Sequence, residues 1–445
     1  MTTFLVWCFA IQAMIIMGWG MKRPERMLQF PFLAAAVFFG WMFPQLLGLT
    51  ANPFLPRGGL DKTIVMAMLC LGASWLGYQM NERPTHLFIW EFNHSRLLGG
   101  AALISMLGAF FFFQVGLLAP EVQAETGGQW TGVITIYVFF SSLLTFGMAL
   151  ALILFLRRPG WPSLVVVLFG LIFFFDRIVI RGRRAAMVEL GMMVLLALWF
   201  NRGLLPARWL MVSVVLFATL VINSIGDYRG VMMGRDQTTW SGAGFSEILE
   251  IDYLGNLQRL ASGKAPNYEL KNAVMNIAAA DHTLHLDYGL SHWNGFVFNY
   301  VPGQWVGYEL KRSLQFDLGD NARQLFGYRP YVGATHTGLS DAFLSFWYFG
   351  ALKFLLIGLI MSRWYRSAMQ GHLVAQLVVI LAIPAALHAI THSTHSFFTV
   401  FLQMVLFLLP VLWFARRRVN RQAEPVAALR SHGSLGFEYP TASKI

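Results

Sequence analysis

Charge is scarce in this chain. Only 12% of its 445 residues are charged, whereas 56% are hydrophobic; a soluble domain carries about 25% charged residues. That shortage excludes an ordinary water-soluble globule. Cysteine is scarcer still. Cys8 and Cys70 are the two present, both inside apolar runs, so neither a disulfide framework nor a cysteine zinc site is available. No P-loop, GxGxxG stretch, nucleophilic-serine motif or nucleotide-binding domain occurs, which removes reactions driven directly by a bound nucleotide. No cofactor is expected, and no internal repeat is visible. The net charge of +11 is spread over many short loops, which reads as anchoring to lipid headgroups rather than nucleic-acid binding.

What the chain does contain is apolar runs near the length of about 20 residues that spans a bilayer. Eleven spans are predicted, roughly over 3–20, 28–49, 61–79, 97–119, 131–155, 162–178, 185–200, 209–226, 342–361, 373–391 and 397–414. The class is therefore an all-α polytopic membrane protein. It divides into spans over 1–226, a large and mostly helical loop over 227–341, spans over 342–420, and a low-charge tail over 421–445 that is expected to be disordered. No Lys or Arg precedes Thr3–Gly20, while Lys22, Arg23 and Arg26 follow it. That order is the reverse of a secretory signal and predicts a retained helix. Alternate loops separate by charge. One side carries Arg83/Arg96, Arg157/Arg158, Arg202/Arg208, Arg363/Arg366 and Arg416/Arg417/Arg418. The positive-inside rule makes that side cytoplasmic, with the N-terminus outside and the C-terminus inside.

One short loop breaks this rule. Arg177, Arg181, Arg183 and Arg184 cluster between two spans on the predicted outer face. Arg177 and Arg181 share a face if helix persists that far. Asp176 and Glu189 are the nearest acids, and neither stands three or four residues from an arginine as a facing helical pair requires. Guanidinium groups offer bidentate hydrogen bonds to phosphate oxygens, so the cluster points to a phosphate or diphosphate ligand. Asp227-Tyr228-Arg229 and Arg235 follow the eighth span and could complete such an anion site. A third element, Thr335-His336-Thr337-Gly338 with Asp341, opens the ninth span and supplies a titratable imidazole. His282, His285, His292, His392 and His395 lack that setting, and Asp281, His282, His285 and Asp287 match no metal motif. Within the loop, Phe245–Leu260 and Lys271–Ala280 have helical spacing, and an aromatic stretch runs from Trp293 to Tyr308.

These residues resemble those of bacterial O-antigen and oligosaccharide repeat-unit polymerases, which are related to O-antigen ligases. The similarity lies in Arg181–Leu190, in Val301-Pro302 with Trp305, Gly307 and Lys311, and in His336-Thr337-Gly338 followed by Asp341–Gly350. It covers roughly residues 170–360, more in layout than in identities. The resemblance implies a membrane-type, GT-C-like, metal-independent inverting glycosyltransferase of the inner membrane. Its donor would be an undecaprenyl-diphosphate-linked oligosaccharide at the periplasmic face. Membrane lipids, a chain-length regulator and a flippase would be its partners. Arg181, Arg184 and Arg229 would hold the diphosphate, with Arg183, Tyr228 and Arg235 beside them. Lys311, Arg312, Arg323, Arg329 and Asp341 would contact donor or acceptor, and His336 would bind or deprotonate the attacking hydroxyl. The His-Thr-Gly context favours polymerase over ligase. The alternative from another class is an exporter or flippase of an anionic glycan or lipid, which should carry ionisable groups inside its spans.

Overall fold

The computed structural model describes residues 1–80, 83–84, 89–118, 121–122, 130–233, 245–265, 268–330 and 335–417. Arg235 and the tail over 421–445 lie outside these residues. Among those described the regular structure is helical, apart from the two-residue antiparallel pair Glu121–Val122 with Trp130–Thr131 and a single antiparallel bridge between Phe92 and Arg416. Hydrocarbon offers no partner to backbone N–H and C=O groups, so a spanning segment must satisfy them internally, as helix does.

Before the long loop come α1 (Thr2–Met21), α2 (Phe30–Thr50), α3 (Gly59–Gln79), α4 (His94–Leu117), α5 (Val133–Arg157), α6 (Trp161–Ile180) and α7 (Arg184–Arg202). Next, α8 (Arg208–Asn223) and α9 (Ile225–Met233) are bent by 63° at Ser224. Two loop helices matter below, α10 (Glu269–Thr283) and α11 (Leu290–Tyr300). The chain finishes with α12 (Gly338–Phe346), α13 (Leu352–Met369), α14 (Leu373–Thr391) and α15 (His395–Ala415). Ten described helices are long and apolar enough to cross a membrane, or eleven if the bent α8–α9 pair is one span. This is a multi-pass membrane protein.

The order of spans follows the sequence expectation, with two differences. The ninth begins at Gly338 and is broken: α12 stops at Phe346, Trp347 turns to φ 54°, and a 3-10 turn leads into α13. The predicted helix over Phe245–Leu260 is two pieces, Phe245–Leu249 and Tyr253–Ala261, because Asp252 caps the second by accepting from Gly255 N–H at 2.8 Å.

Large apolar residues face outward as well as inward. Phe4, Phe113, Ile172, Phe217 and Trp413 are all exposed, as expected where the solvent is lipid. Close backbone approach then holds the helices together. A Cβ on Gly77 of α3 would collide with the Leu355 carbonyl of α13. The central helix is α14, most of which is buried, packing against α2, α5, α7, α13 and α15.

Candidate functional site: an arginine cluster at one end of the bundle

The cluster is built on a π-turn. At the end of α6 the residues Asp176–Ile180 wind as π-helix, so the Arg181 N–H donates to the Asp176 carbonyl, five residues back, at 3.0 Å. The extra residue per turn brings side chains five apart onto one face. Arg181 Nε accordingly donates to the Asp176 carboxylate at 2.9 Å. The expectation that Asp176 is not spaced to face an arginine within its own helix assumed α-helical winding, and the π-turn overturns it. Gly182 then reverses the chain at φ 54°, a conformation that glycine adopts without penalty, and α7 starts at Arg184.

A second acid comes from the loop. Arg184 forms an ion pair with Glu269, the first residue of α10, and Trp41 Nε1 donates to the other Glu269 oxygen at 3.0 Å. Gln45, one turn beyond Trp41, accepts from Leu270 N–H at 2.9 Å. These bonds fix the start of α10 against α2. The sequence reading missed Glu269 because 85 residues separate it from Arg184.

The Asp227-Tyr228-Arg229 segment leans over the same hairpin. Tyr228 Oη donates to the Val179 carbonyl at 2.7 Å, and Arg229 Nε donates to that of Gly182 at 3.3 Å. Asp227 is turned elsewhere, accepting from Asn256 at 2.7 Å. The structure thus brings Arg177, Arg181, Arg183, Arg184, Tyr228 and Arg229 together. Arg183 has no ion-pair partner among the described residues. Partial burial, then the like charges of Arg177, Arg181 and Arg229, lower its pKa to about 10, with Asp176 acting in the opposite sense. Its flank is enclosed by protein although the side chain itself remains exposed. Glu189 of α7 is a third acid, lying beside Arg177 and Thr145. Five arginines against Asp176, Glu189 and Glu269 still leave an excess of positive charge, suited to an anion of two charges.

Two histidines complete the neighbourhood. His388 and His392 stand four apart on α14, so they share a face, and their ring centroids are 3.7 Å apart. Both feel the charge of Arg184. His392 Nδ1 lies 2.8 Å from Thr391 Oγ1, and that hydroxyl is within 3.5 Å of the His388 carbonyl. The Thr391 hydroxyl thus holds the ring through Nδ1. Nε2 has no hydrogen-bond partner among the described residues. Burial first, and then Arg184, push the His392 pKa down to about 4. The ring is therefore neutral at neutral pH. The expectation that His392 lies away from the arginines is corrected, since Arg184 acts on it; the spacing His388-Ala-Ile-Thr-His392 was its legible signal.

His336 is exposed and makes no hydrogen bond among the described residues. Its neighbour Thr335 is held on both sides of the cluster, accepting from Asn272 of α10 at 2.9 Å and donating to the Thr391 carbonyl at 2.8 Å. Lys311 donates to the Phe298 carbonyl at 2.9 Å and lies over the Phe298 ring, and burial lowers its pKa. Arg312 shares the short helix Tyr308–Ser313 with it. Arg323 and Arg329 are exposed. No hydrogen bond or ion pair joins Lys311, Arg323 or Arg329 to the arginine cluster among the described residues.

Asp341 differs most from expectation. It is 7% exposed and saturated with partners. Its Oδ1 lies 3.3 Å from Lys353 Nζ, while Oδ2 accepts from the Thr394 N–H at 2.9 Å, the Thr394 hydroxyl and Ser393. Lys353 also donates to Ser345 at 2.8 Å, and His292 Nε2 lies 2.8 Å from Thr394 Oγ1. Burial lowers the His292 pKa. Asp341 is therefore a clamp joining α11, α12, α13 and the start of α15, with no free oxygen for substrate. Lys353 was legible as a lone cation in an apolar run.

Compared with known proteins, the chain matches no protein-family model, no curated protein and no solved structure at a significant level.

Proposed function

We propose that the chain is an inner-membrane glycosyltransferase that polymerises undecaprenyl-diphosphate-linked oligosaccharide repeat units at the periplasmic face. The carrying observation is the convergence of five arginines at the end of the α6–α7 hairpin with three acids, Asp176, Glu189 and Glu269, to balance them. A diphosphate suits this excess in charge and in hydrogen-bonding geometry. The architecture would be GT-C-like, with residues 227–341 as a periplasmic loop roofing the site.

In this reading the acceptor hydroxyl attacks the anomeric carbon from the side opposite the diphosphate. The new C–O bond forms as the old one breaks, and the electron pair leaves with the diphosphate. Arg181, Arg184 and Arg229 stabilise the charge that develops, a contribution larger in the transition state than in the ground state. The hydroxyl proton passes to a base. His392 Nε2 is the better placed acceptor and His336 the weaker one, since only His392 is oriented and lies against Arg184. No metal is needed for departure of so good a leaving group.

Purified protein with a lipid-diphosphate oligosaccharide should give a ladder of products. A single transfer onto a lipid-A-like acceptor would make it a ligase, and no transfer overturns the proposal. An Arg183→Cys variant should be labelled from the periplasm, and labelling from the cytoplasm alone would reverse the orientation.

The exporter reading has one observation in its favour: the buried Asp341–Lys353 pair beside the break at Trp347. Ionisable groups at broken helices are what transporters place inside membranes. Uptake of a lipid-linked glycan into vesicles without chain extension would select it.

A further inference from the structure

At the other end of α6 lies a cleft of about 690 Å³ between α4 and α6. The span Trp161–Ile180 separates it from the arginine cluster, about 30 Å at the helical rise. The cleft is therefore at the opposite membrane face, the one that charge asymmetry assigns to the cytoplasm.

Its two ends differ in chemistry. The mouth is lined by Arg158, His94, Ser95, Gly160 and Ser163. The Arg158 side chain is exposed and makes no hydrogen bond or ion pair among the described residues, whereas that of its neighbour Arg157 is committed to Asn201, Gly371 and Gln376. Among the described residues no carboxylate lines the cleft. The N-terminus of α6 opens here behind Gly160, which has no side chain to cap its first-turn N–H groups, whereas that of α4 is capped by Asn93, whose side chain accepts from Arg96 N–H at 3.2 Å. The first-turn N–H groups of α6 and the guanidinium favour an anion. Deeper in, Leu98, Ala102, Val165 and Val166 form apolar walls. Gly99 lies between them with nothing within 4 Å of where a Cβ would stand. Val165 is 59% exposed on the outer surface, so this channel opens sideways to the bilayer.

We infer that the cleft is a binding site for an anionic glycerophospholipid, its phosphate on Arg158 and the uncapped N-terminus of α6 and one acyl chain along Gly99. The combination of a basic, uncompensated mouth and an apolar channel open to the bilayer fits an amphiphile with a negative head. An inner leaflet supplies such lipids in quantity. This site is independent of the glycosyl-transfer reading.

The full chain, purified from nanodiscs containing phosphatidylglycerol and phosphatidylcholine, tests it by native mass spectrometry of retained lipid. Wild type should keep phosphatidylglycerol in roughly fivefold preference, the weight of one interfacial cation. Arg158→Gln should remove the preference and Arg158→Lys should keep most of it. Gly99→Leu should plug the channel and lose the lipid with no change of charge. Arg208→Gln, outside the cleft, should have no effect. Equal retention of the two lipids by wild type, or retention unchanged in both Arg158→Gln and Gly99→Leu, would overturn the inference. So would displacement of phosphatidylglycerol by stoichiometric polyprenyl phosphate.

Discussion

Glu269 holds the guanidinium of Arg184 from a loop helix, with Trp41 fixing its second oxygen. A substrate diphosphate must displace this carboxylate or share the arginine with it. Glu269→Gln keeps an oxygen for Trp41 and removes the competing charge, so KM for the lipid-diphosphate donor should fall severalfold. An unchanged or higher KM would mean that Glu269 positions Arg184 rather than competing for it.

Arg184→Ala and Arg181→Ala should lower kcat/KM by about 100-fold or more, as expected for a lost transition-state charge partner. Both proteins should still reach the membrane in normal amount. Arg323→Ala and Arg329→Ala, remote from the hairpin by every bond observed, should stay within a few-fold of wild type. Full-length polymer from the Arg184 variant would sink the diphosphate site.

His392 sets an expected acid limit. Its pKa is pushed down to about 4 by burial and by Arg184, so the neutral, proton-accepting form persists well below pH 6.5. Plots of kcat/KM against pH should stay level from neutral to about one unit above that value and fall below it. An ordinary imidazole would already halve the rate near pH 6.5. His392→Gln should cost about 100-fold and abolish the limb; a limb that survives belongs to another group. The same depressed pKa makes stability depend on pH. Between about 6.5 and 4 the unfolded chain binds the extra proton, so this contribution is complete above 6.5 and declines as pH falls toward 4.

Lys353→Met would leave the buried Asp341 carboxylate without its cation. Breaking a buried pair on one side costs about 3–5 kcal/mol, so the melting temperature in detergent should drop sharply. Asp341→Asn keeps acceptors for Thr394 and should be milder. Loss of activity in Lys353→Met at an unchanged melting temperature would argue against a clamp and for a direct role.

The membrane class and the run of spans were legible because bilayer thickness imposes a length on apolar segments that needs no tertiary knowledge. The arginine anomaly was legible for the same reason, since charge in a short loop stands out. The pairing of those arginines was not. Asp176 faces Arg181 only because one turn winds as π-helix, and nothing in Asp176-Arg-Ile-Val-Ile announces that winding. Glu269 reaches Arg184, and Thr394 reaches Asp341, across contacts that depend on how helices pack. Single-chain patterns do not encode such contacts. His392 was visible as one of a helical pair and passed over because its partner Arg184 lies on another helix.

The π-turn at Asp176–Ile180 is in effect a one-residue insertion within a continuous helix. Deleting one residue there would return the turn to α-helical winding, and Asp176 and Arg181 would no longer stand one π-turn apart. Side chains such as Ile178 could drift among apolar types without that penalty. Across proteins that share this arrangement, the count of residues between Phe175 and Arg184 should be more constant than their identities. Length, rather than composition, is what this stretch of the chain stores.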